Sequence, residues 1–194
     1  GIYSEKSGIV NLSLEGFQGF GAFTGAFVAV FASRNFGADA TTAYVLAILF
    51  AVIGACVYSL LYALVCIQFK ANQTISGVVL NILATALTAY LTKFLNKRLF
   101  EAASDKFVLE VSSRITVPGL SEIPVLGYVF TDIYPFEILI VIVAVVAWYV
   151  LYKTPYGMNL RACGDNPHAV DAPGLPVGRI RLIAVLVAGA LSGV

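Results

Sequence analysis

The stretch that decides the fold runs from 73 to 92: Gln73-Thr-Ile-Ser-Gly-Val-Val-Leu-Asn-Ile-Leu-Ala-Thr-Ala-Leu-Thr-Ala-Tyr-Leu-Thr92. Lys70 and Lys93 bracket it, and the 22 residues between them carry no charge. A bilayer core takes about 20 helical residues, whereas a barrel strand takes about 10 residues of alternating polarity. The run is too long and too uniformly apolar for a strand, so it predicts a transmembrane helix over 74–93. Thr74, Gly77, Asn81, Thr85, Thr88 and Thr92 stand at offsets 0, 3, 7, 11, 14 and 18. At 3.6 residues per turn they share a face about 80° wide. Two readings of that face stand side by side. The threonines bond back to their own helix while Asn81 ties two helices together, or the face lines a hydrated path for a polar solute. Polar groups within a bilayer face a bundle interior or a cavity, which suits both.

The same punctuation by charge recurs along the chain. Glu15 to Arg34 encloses 18 uncharged residues, Asp39 to Lys70 encloses 30, and Glu137 to Lys153 encloses 15. A charge at the bilayer centre costs about 2.5–3.5 kcal/mol on insertion scales, so these runs predict further spans near 14–33, 44–67 and 134–152. A fifth begins near 180 and stops 13 uncharged residues after Arg181. The expected fold is an all-α, polytopic transmembrane bundle of four full spans and a truncated fifth. The chain reads as the middle of a longer protein, 1–194 being one transmembrane domain cut at both ends. Composition agrees. The 194 residues are 59% hydrophobic and 12% charged, against about 25% charged in soluble domains, and mean hydropathy is +0.89. A net charge of +1 leaves no footprint for nucleic acid.

Helix faces add detail. Gly21, Gly25 and Ala29 repeat every four residues in the first span, on a different face from Phe17, Phe20, Phe23, Phe27 and Phe31. Ala51, Ala55, Ser59 and Ala63 repeat the device in the second. Small residues let helices approach closely, so both stripes predict packing seams. The fourth span is apolar all round from Ile138 to Val146, which puts it at the periphery against membrane lipid. The loop 94–133 mixes both charge signs and is too polar to cross, although Ile123 to Phe130 could lie along the membrane surface. Lys and Arg divide six against six between the two sides, so charge does not settle orientation.

Two segments break the apolar pattern. Ser4-Glu-Lys-Ser-Gly-Ile-Val-Asn-Leu-Ser-Leu-Glu-Gly16 is polar yet runs straight into the first span. Asn11 and Glu15, four apart, share a helix face if the helix begins early. Glu15 either complements a helix N-terminus, or with Asn11 borders a pathway at a broken helix. The second segment is 153–180. Asp165-Asn166-Pro167 reads as a helix start, with Asn as N-cap and Pro at the first helical position, and Pro173-Gly174 as its end. This short surface helix is either a connector or a docking element. The lone His168 reads as solvated. No catalytic constellation and no metal-ligand spacing appears, the cysteines being Cys56, Cys66 and Cys163 alone. No phosphate-binding loop appears either, so ATP with its magnesium, if used, binds to another chain.

These segments carry a resemblance. Residues 4–16, Gln73-Thr-Ile-Ser-Gly-Val-Val-Leu-Asn81 and Gly157-Met-Asn-Leu-Arg-Ala-Cys-Gly-Asp-Asn-Pro-His-Ala169 resemble, in order, motifs of bacterial ABC-importer permeases for nucleosides and simple sugars. That branch, in which guanosine-type permeases stand out, belongs to the family serving branched-chain amino acids and ribose. The resemblance implies a multi-pass protein of the bacterial inner membrane working by alternating access, not an enzyme. It implies that 153–180 is a cytoplasmic coupling loop, with Gly157, Arg161, Gly164, Asn166, Pro167, Ala169 and Gly174 at or near its motif positions, docked on an ABC ATPase subunit. It implies a second homologous permease subunit, and an extracytoplasmic substrate-binding protein or lipoprotein near the 94–133 loop. The substrate pathway is then expected at Asn11, Glu15, Asn81, Thr85 and Thr88. Pro173 and Pro176 depart from the family's pattern. The rival reading is an ion-coupled secondary transporter or a channel. An ion-coupled carrier calls for an ionisable residue near the midplane, and Glu15 and Glu137 lie at span edges.

Overall fold

The computed structural model describes residues 1–37, 39–99, 107, 135–171 and 174–193. Its regular elements are all helical. Helix α1 covers Ile2–Lys6, and a turn and a non-helical segment lead into α2, Leu14–Phe36. That helix ends at Gly37, whose φ of 59° closes it in the left-handed conformation that glycine adopts without strain. Helix α3, Ala40–Ala63, continues into one π-helical stretch, Leu64–Gln68. The chain then turns at Lys70, and the Asn72 side chain accepts from the N–H groups of Thr74 and Ile75 to cap α4, Gln73–Leu99. The remaining helices are α5 (Pro135–Lys153), α6 (Pro155–Asp165), α7 (Pro167–Asp171) and α8 (Val177–Gly193).

The expected spans correspond to α2, α3, α4 and α5, and α8 is the expected fifth. Helices α2, α3 and α4 are each long and apolar enough to cross a membrane; α5 qualifies together with α6, from which it is bent by 70°. Helix α4 runs six residues past the expected end at 93. Lys97 and Arg98 fall in its last turn, where positive charge complements the helix dipole and prolongs the helix rather than ending it. Beyond Leu99 only Phe107 of the 94–133 loop is described, its ring 6.0 Å from that of Phe23; the expected surface segment at Ile123 to Phe130 lies outside the described residues.

The small-residue stripes are packing seams. A Cβ at Gly25 would stand 2.6 Å from the Ala47 carbonyl oxygen, and one at Gly21 would stand 2.9 Å from that of Ala51. Helix α8 enters the same seam, with Gly193 against Ala51 and Ala55 and Gly189 against Ser59. Below the seam lies an aromatic core. Phe17 meets the edges of Tyr62 and Tyr58 at centroid distances of 5.9 and 6.3 Å, and Phe20 stacks on Tyr58 at 5.0 Å. Such pairs stabilise by about 0.5–1.5 kcal/mol beyond the area they bury. The outer sides of α3 (Val45, Leu49, Ile53, Val57) and of α5 (Val141, Ile142, Val145, Val146) are exposed, as the all-round apolar pattern of α5 predicts for a peripheral helix.

Candidate functional site: a polar strap between the bundle and the α6–α7 elbow

Helix α2 begins at Leu14, so Asn11 precedes it and does not share a helix face with Glu15. Asn11 lies instead in the non-helical segment between α1 and α2. Its side chain is buried, with Nδ2 donating to Ser4 Oγ (3.4 Å) and Oδ1 accepting from the Ser13 N–H (3.0 Å). This is local bonding that holds an asparagine out of helix. Glu15 is exposed in the first turn of α2, where its charge complements the positive helix end.

The segment 7–13 forms a strap, because a backbone outside helix or sheet has no ladder of its own and needs other partners. Gln73 Oε1 accepts from the Val10 N–H at 2.8 Å, and the Tyr62 hydroxyl donates to the Val10 carbonyl at 2.7 Å. Asn81 uses both ends of its amide: Nδ2 donates to the Leu12 carbonyl and Oδ1 accepts from the Gly16 N–H, each at 2.8 Å. Gly16 is the third residue of α2. Its N–H is one of the orphan donors of a helix start, ordinarily met by the N-cap side chain. The N-cap here is Ser13, which makes no such bond and whose buried Oγ has no partner among the described residues. Asn81 therefore caps α2 from the neighbouring helix. Gly77 makes room for this, since a Cβ there would stand 2.9 Å from that of Leu12.

Above Asn81, the threonines of α4 bond to their own helix. Thr85 donates to the Asn81 carbonyl (3.0 Å), Thr88 to that of Ala84 (2.8 Å) and Thr92 to that of Thr88 (2.7 Å). Each hydroxyl keeps acceptor capacity; Thr85 is exposed, and Thr88 and Thr92 are half-buried.

At its lower end the strap meets the second pattern-breaking segment, more than 150 residues away in sequence. Arg181 Nε donates to the Ser7 carbonyl at 3.1 Å. A Cβ at Gly164 would clash with the Lys6 carbonyl and stand 3.2 Å from Gly8 N. Gly8 itself turns with a φ of 82°, the left-handed region open to glycine.

The segment 153–180 differs from expectation, for it holds two helices and not one. Thr154 caps α6, its Oγ1 accepting from the Gly157 N–H (3.3 Å) and donating to the Val150 carbonyl (2.5 Å), and Pro155 takes the first helical position. The Thr-Pro pair is the same signature as Asn166-Pro167, and it is legible in the sequence. Gly157 fits tightly against the carbonyls of Val150 and Leu151. The Arg161 guanidinium sits 5.2 Å from the Tyr152 ring, and its Nε donates to the Gly157 carbonyl at 3.4 Å. Asn166 Oδ1 accepts from the His168 N–H at 3.1 Å as α7 begins at Pro167. The Gly174 N–H, at a φ of 83°, bonds the Asp171 carbonyl after α7 ends. The Ala169 side chain lies outside what is described. Burial pushes the Tyr156 hydroxyl up, helped by Tyr3 and Cys163 nearby. Burial likewise raises the Cys163 thiol, with Arg181 pulling the other way. Among the described residues, no three His, Cys, Asp or Glu side chains gather to hold a metal.

The site is thus a strap held at one end by α6 and α8 and at the other by α3 and α4. It joins Asn11, Asn81 and Gly164, with Glu15 beside it and Thr85 and Thr88 higher on α4. Arg181, Gln73 and Tyr62 complete it; the sequence set Gln73 in a family-like motif and Arg181 at a span edge, but gave none of the three a place in the site.

Comparison with known proteins is consistent along the whole chain. The family described as "Branched-chain amino acid transport system / permease component" matches residues 3–194. The guanosine ABC transporter permease protein NupQ of Bacillus subtilis is 38% identical over 194 residues, which cover 100% of this chain and 59% of that protein. The nucleoside ABC transporter permease protein NupC of Lactococcus lactis is 37% identical, again over 100% of this chain and 59% of its own length. A putative glucose ABC transporter permease protein, TsgC13 of Haloferax volcanii, is 30% identical over 99% of this chain and 54% of its own. The chain therefore spans a little over half the length of these relatives. No solved structure matches it. The chain is a membrane protein and belongs to the branched-chain amino acid transport system permease family.

Proposed function

We propose that the chain belongs to a permease subunit that imports nucleosides, or a related simple sugar, across the bacterial inner membrane by alternating access driven by ATP. Its likeness, over the whole of this chain, to permeases named for guanosine and for nucleosides supports the substrate class. The observation that carries the mechanism is the α6–α7 elbow. The 70° bend after α5 turns the chain away from the span direction, and two capped helices follow before α8 re-enters the bundle. A bare connector needs no such construction. In this reading α7 is the coupling helix. It seats in an ABC ATPase subunit that binds ATP and magnesium, with Gly157, Arg161, Gly164, Asn166, Pro167, Ala169 and Gly174 shaping the loop. The elbow end is then cytoplasmic, and a binding protein or lipoprotein delivers solute at the opposite end. A second permease subunit completes the pathway, bordered in this chain by Glu15, Thr85 and Thr88, with Asn11 and Asn81 at its base.

The test is uptake of labelled nucleoside by cells lacking their own nucleoside carriers. Cells that express the full-length permease with its ATPase and binding protein should accumulate label, and cells without the ATPase should not. Accumulation that is independent of the ATPase would overturn the reading in favour of a secondary transporter or channel.

A further inference from the structure

We infer that the strap, residues 7–13, is the link that carries movement of the α6–α7 elbow into the bundle, with Gly164 and Arg181 as positioning residues at one end and Asn81 at the other. This rests on the ATP-driven reading given above. Helix α6 packs on α5, α7, α1 and α8, whereas α4, which carries the threonine face, packs mainly on α2. The strap touches both sets. At the elbow, Gly164 lies against the backbone of Lys6 and Gly8, and Arg181 holds the Ser7 carbonyl. Five residues on, Asn81 holds the Leu12 carbonyl and the Gly16 N–H together. Between these anchors Val10 is held as well, its N–H by Gln73 Oε1 and its carbonyl by the Tyr62 hydroxyl, so the strap is bonded at Ser7, Val10 and Leu12. A displacement of α6 is therefore passed along the strap instead of being absorbed in it. Because Asn81 bonds on both sides of the junction between strap and α2, the start of α2 and the polar face of α4 move as a unit. The glycine turn at Gly8 supplies the pivot.

The experiment uses the full-length permease assembled with its ATPase and reconstituted with the binding protein, and it reads ATP hydrolysed per solute imported. Asn81→Ala removes the upper latch and should raise that ratio about tenfold, within the usual range of coupling between two sites. Gly25→Val is the matched control: it disturbs the seam between α2 and α3, where a new side chain meets Ala47 and Ala51, and leaves both ends of the strap intact. It should keep the ratio at the wild-type value, so a packing defect alone would not give the rise. Gly164→Ala attacks the other end without touching Asn81, its new methyl meeting the Lys6 carbonyl, and should raise the ratio similarly. The inference is overturned if Gly25→Val raises the ratio as much as Asn81→Ala does, or if either Asn81→Ala or Gly164→Ala couples as tightly as wild type. If the wild-type complex itself imports without ATP, the functional reading fails, and with a different signature.

Discussion

Replacing Asn81 by leucine should destabilise the bundle in a graded, chemically specific way. The side chain closes two hydrogen bonds to backbone, one to the Leu12 carbonyl and one from the Gly16 N–H. Hydrogen bonds between membrane helices average about 0.6 kcal/mol and reach about 1.7, so the pair contributes about 1–3 kcal/mol. The Gly16 N–H sits against α4, where a Cβ would meet Asn81 Oδ1, Ala84 and the Leu80 carbonyl. Left without a partner there, it adds a desolvation cost of about 1–3 kcal/mol. Asn81→Leu should therefore lose about 2–6 kcal/mol in all. Asn81→Asp keeps an acceptor for Gly16 and loses only the donor to Leu12, so its loss should be about half as large. The assay is the unfolding midpoint of purified full-length protein in one detergent, where 1 kcal/mol shifts a chain of this size by about 2–4 °C. Equal midpoints for Asn81→Leu and wild type would refute the cap. Asn81→Asp proving worse than Asn81→Leu would refute the assignment of which amide atom matters.

Three other outcomes follow from the packing and the elbow. Gly25→Val should cost about 1–3 kcal/mol by forcing α2 off Ala47, while the same change at Gly19, which has nothing within 4 Å of a new Cβ, should be near neutral; paired thermal melts check this. Thr154→Ala should loosen α6 by about 1 kcal/mol through loss of its cap, visible as faster hydrogen exchange confined to 156–158. Cys163 should label slowly with a maleimide. Its raised pKa leaves less thiolate at neutral pH, so the rate should climb only at a pH above that of an ordinary thiol; brisk labelling at pH 7 would show that α6 does not bury it.

The spans were legible because charge is costly in a bilayer, and Glu15, Arg34, Lys70 and Lys153 mark where apolar runs stop. Lys93 misled for a reason in the same physics. At a helix C-terminus a lysine is favourable, so α4 continues to Leu99. The small-residue stripes of α2 and α3 could be read as seams, since only glycine and alanine allow backbones that close. Helix α6 escaped notice although Thr154-Pro155 carries the same signal as Asn166-Pro167. Its low apolar content hid it among loop residues. The strap was legible only as part of the polar segment 4–16 that breaks the apolar pattern; its contacts were not. Periodicity reports which residues share a helix face, and segment 7–13 is not a helix. Polarity showed that Asn81 avoids lipid. That its amide faces Leu12 and Gly16 depends on contacts 65 and 69 residues apart, which no local pattern encodes.

The central claim is that this chain moves solute on energy from ATP hydrolysed by a partner. Proteoliposomes holding the full-length permease, its ATPase and its binding protein test it most directly, with labelled guanosine outside and the energy source varied. Guanosine should enter only when ATP and magnesium are supplied on the side that exposes α7, and entry should stop with a non-hydrolysable analogue. Entry driven by a proton or sodium gradient in the absence of ATP would contradict the account.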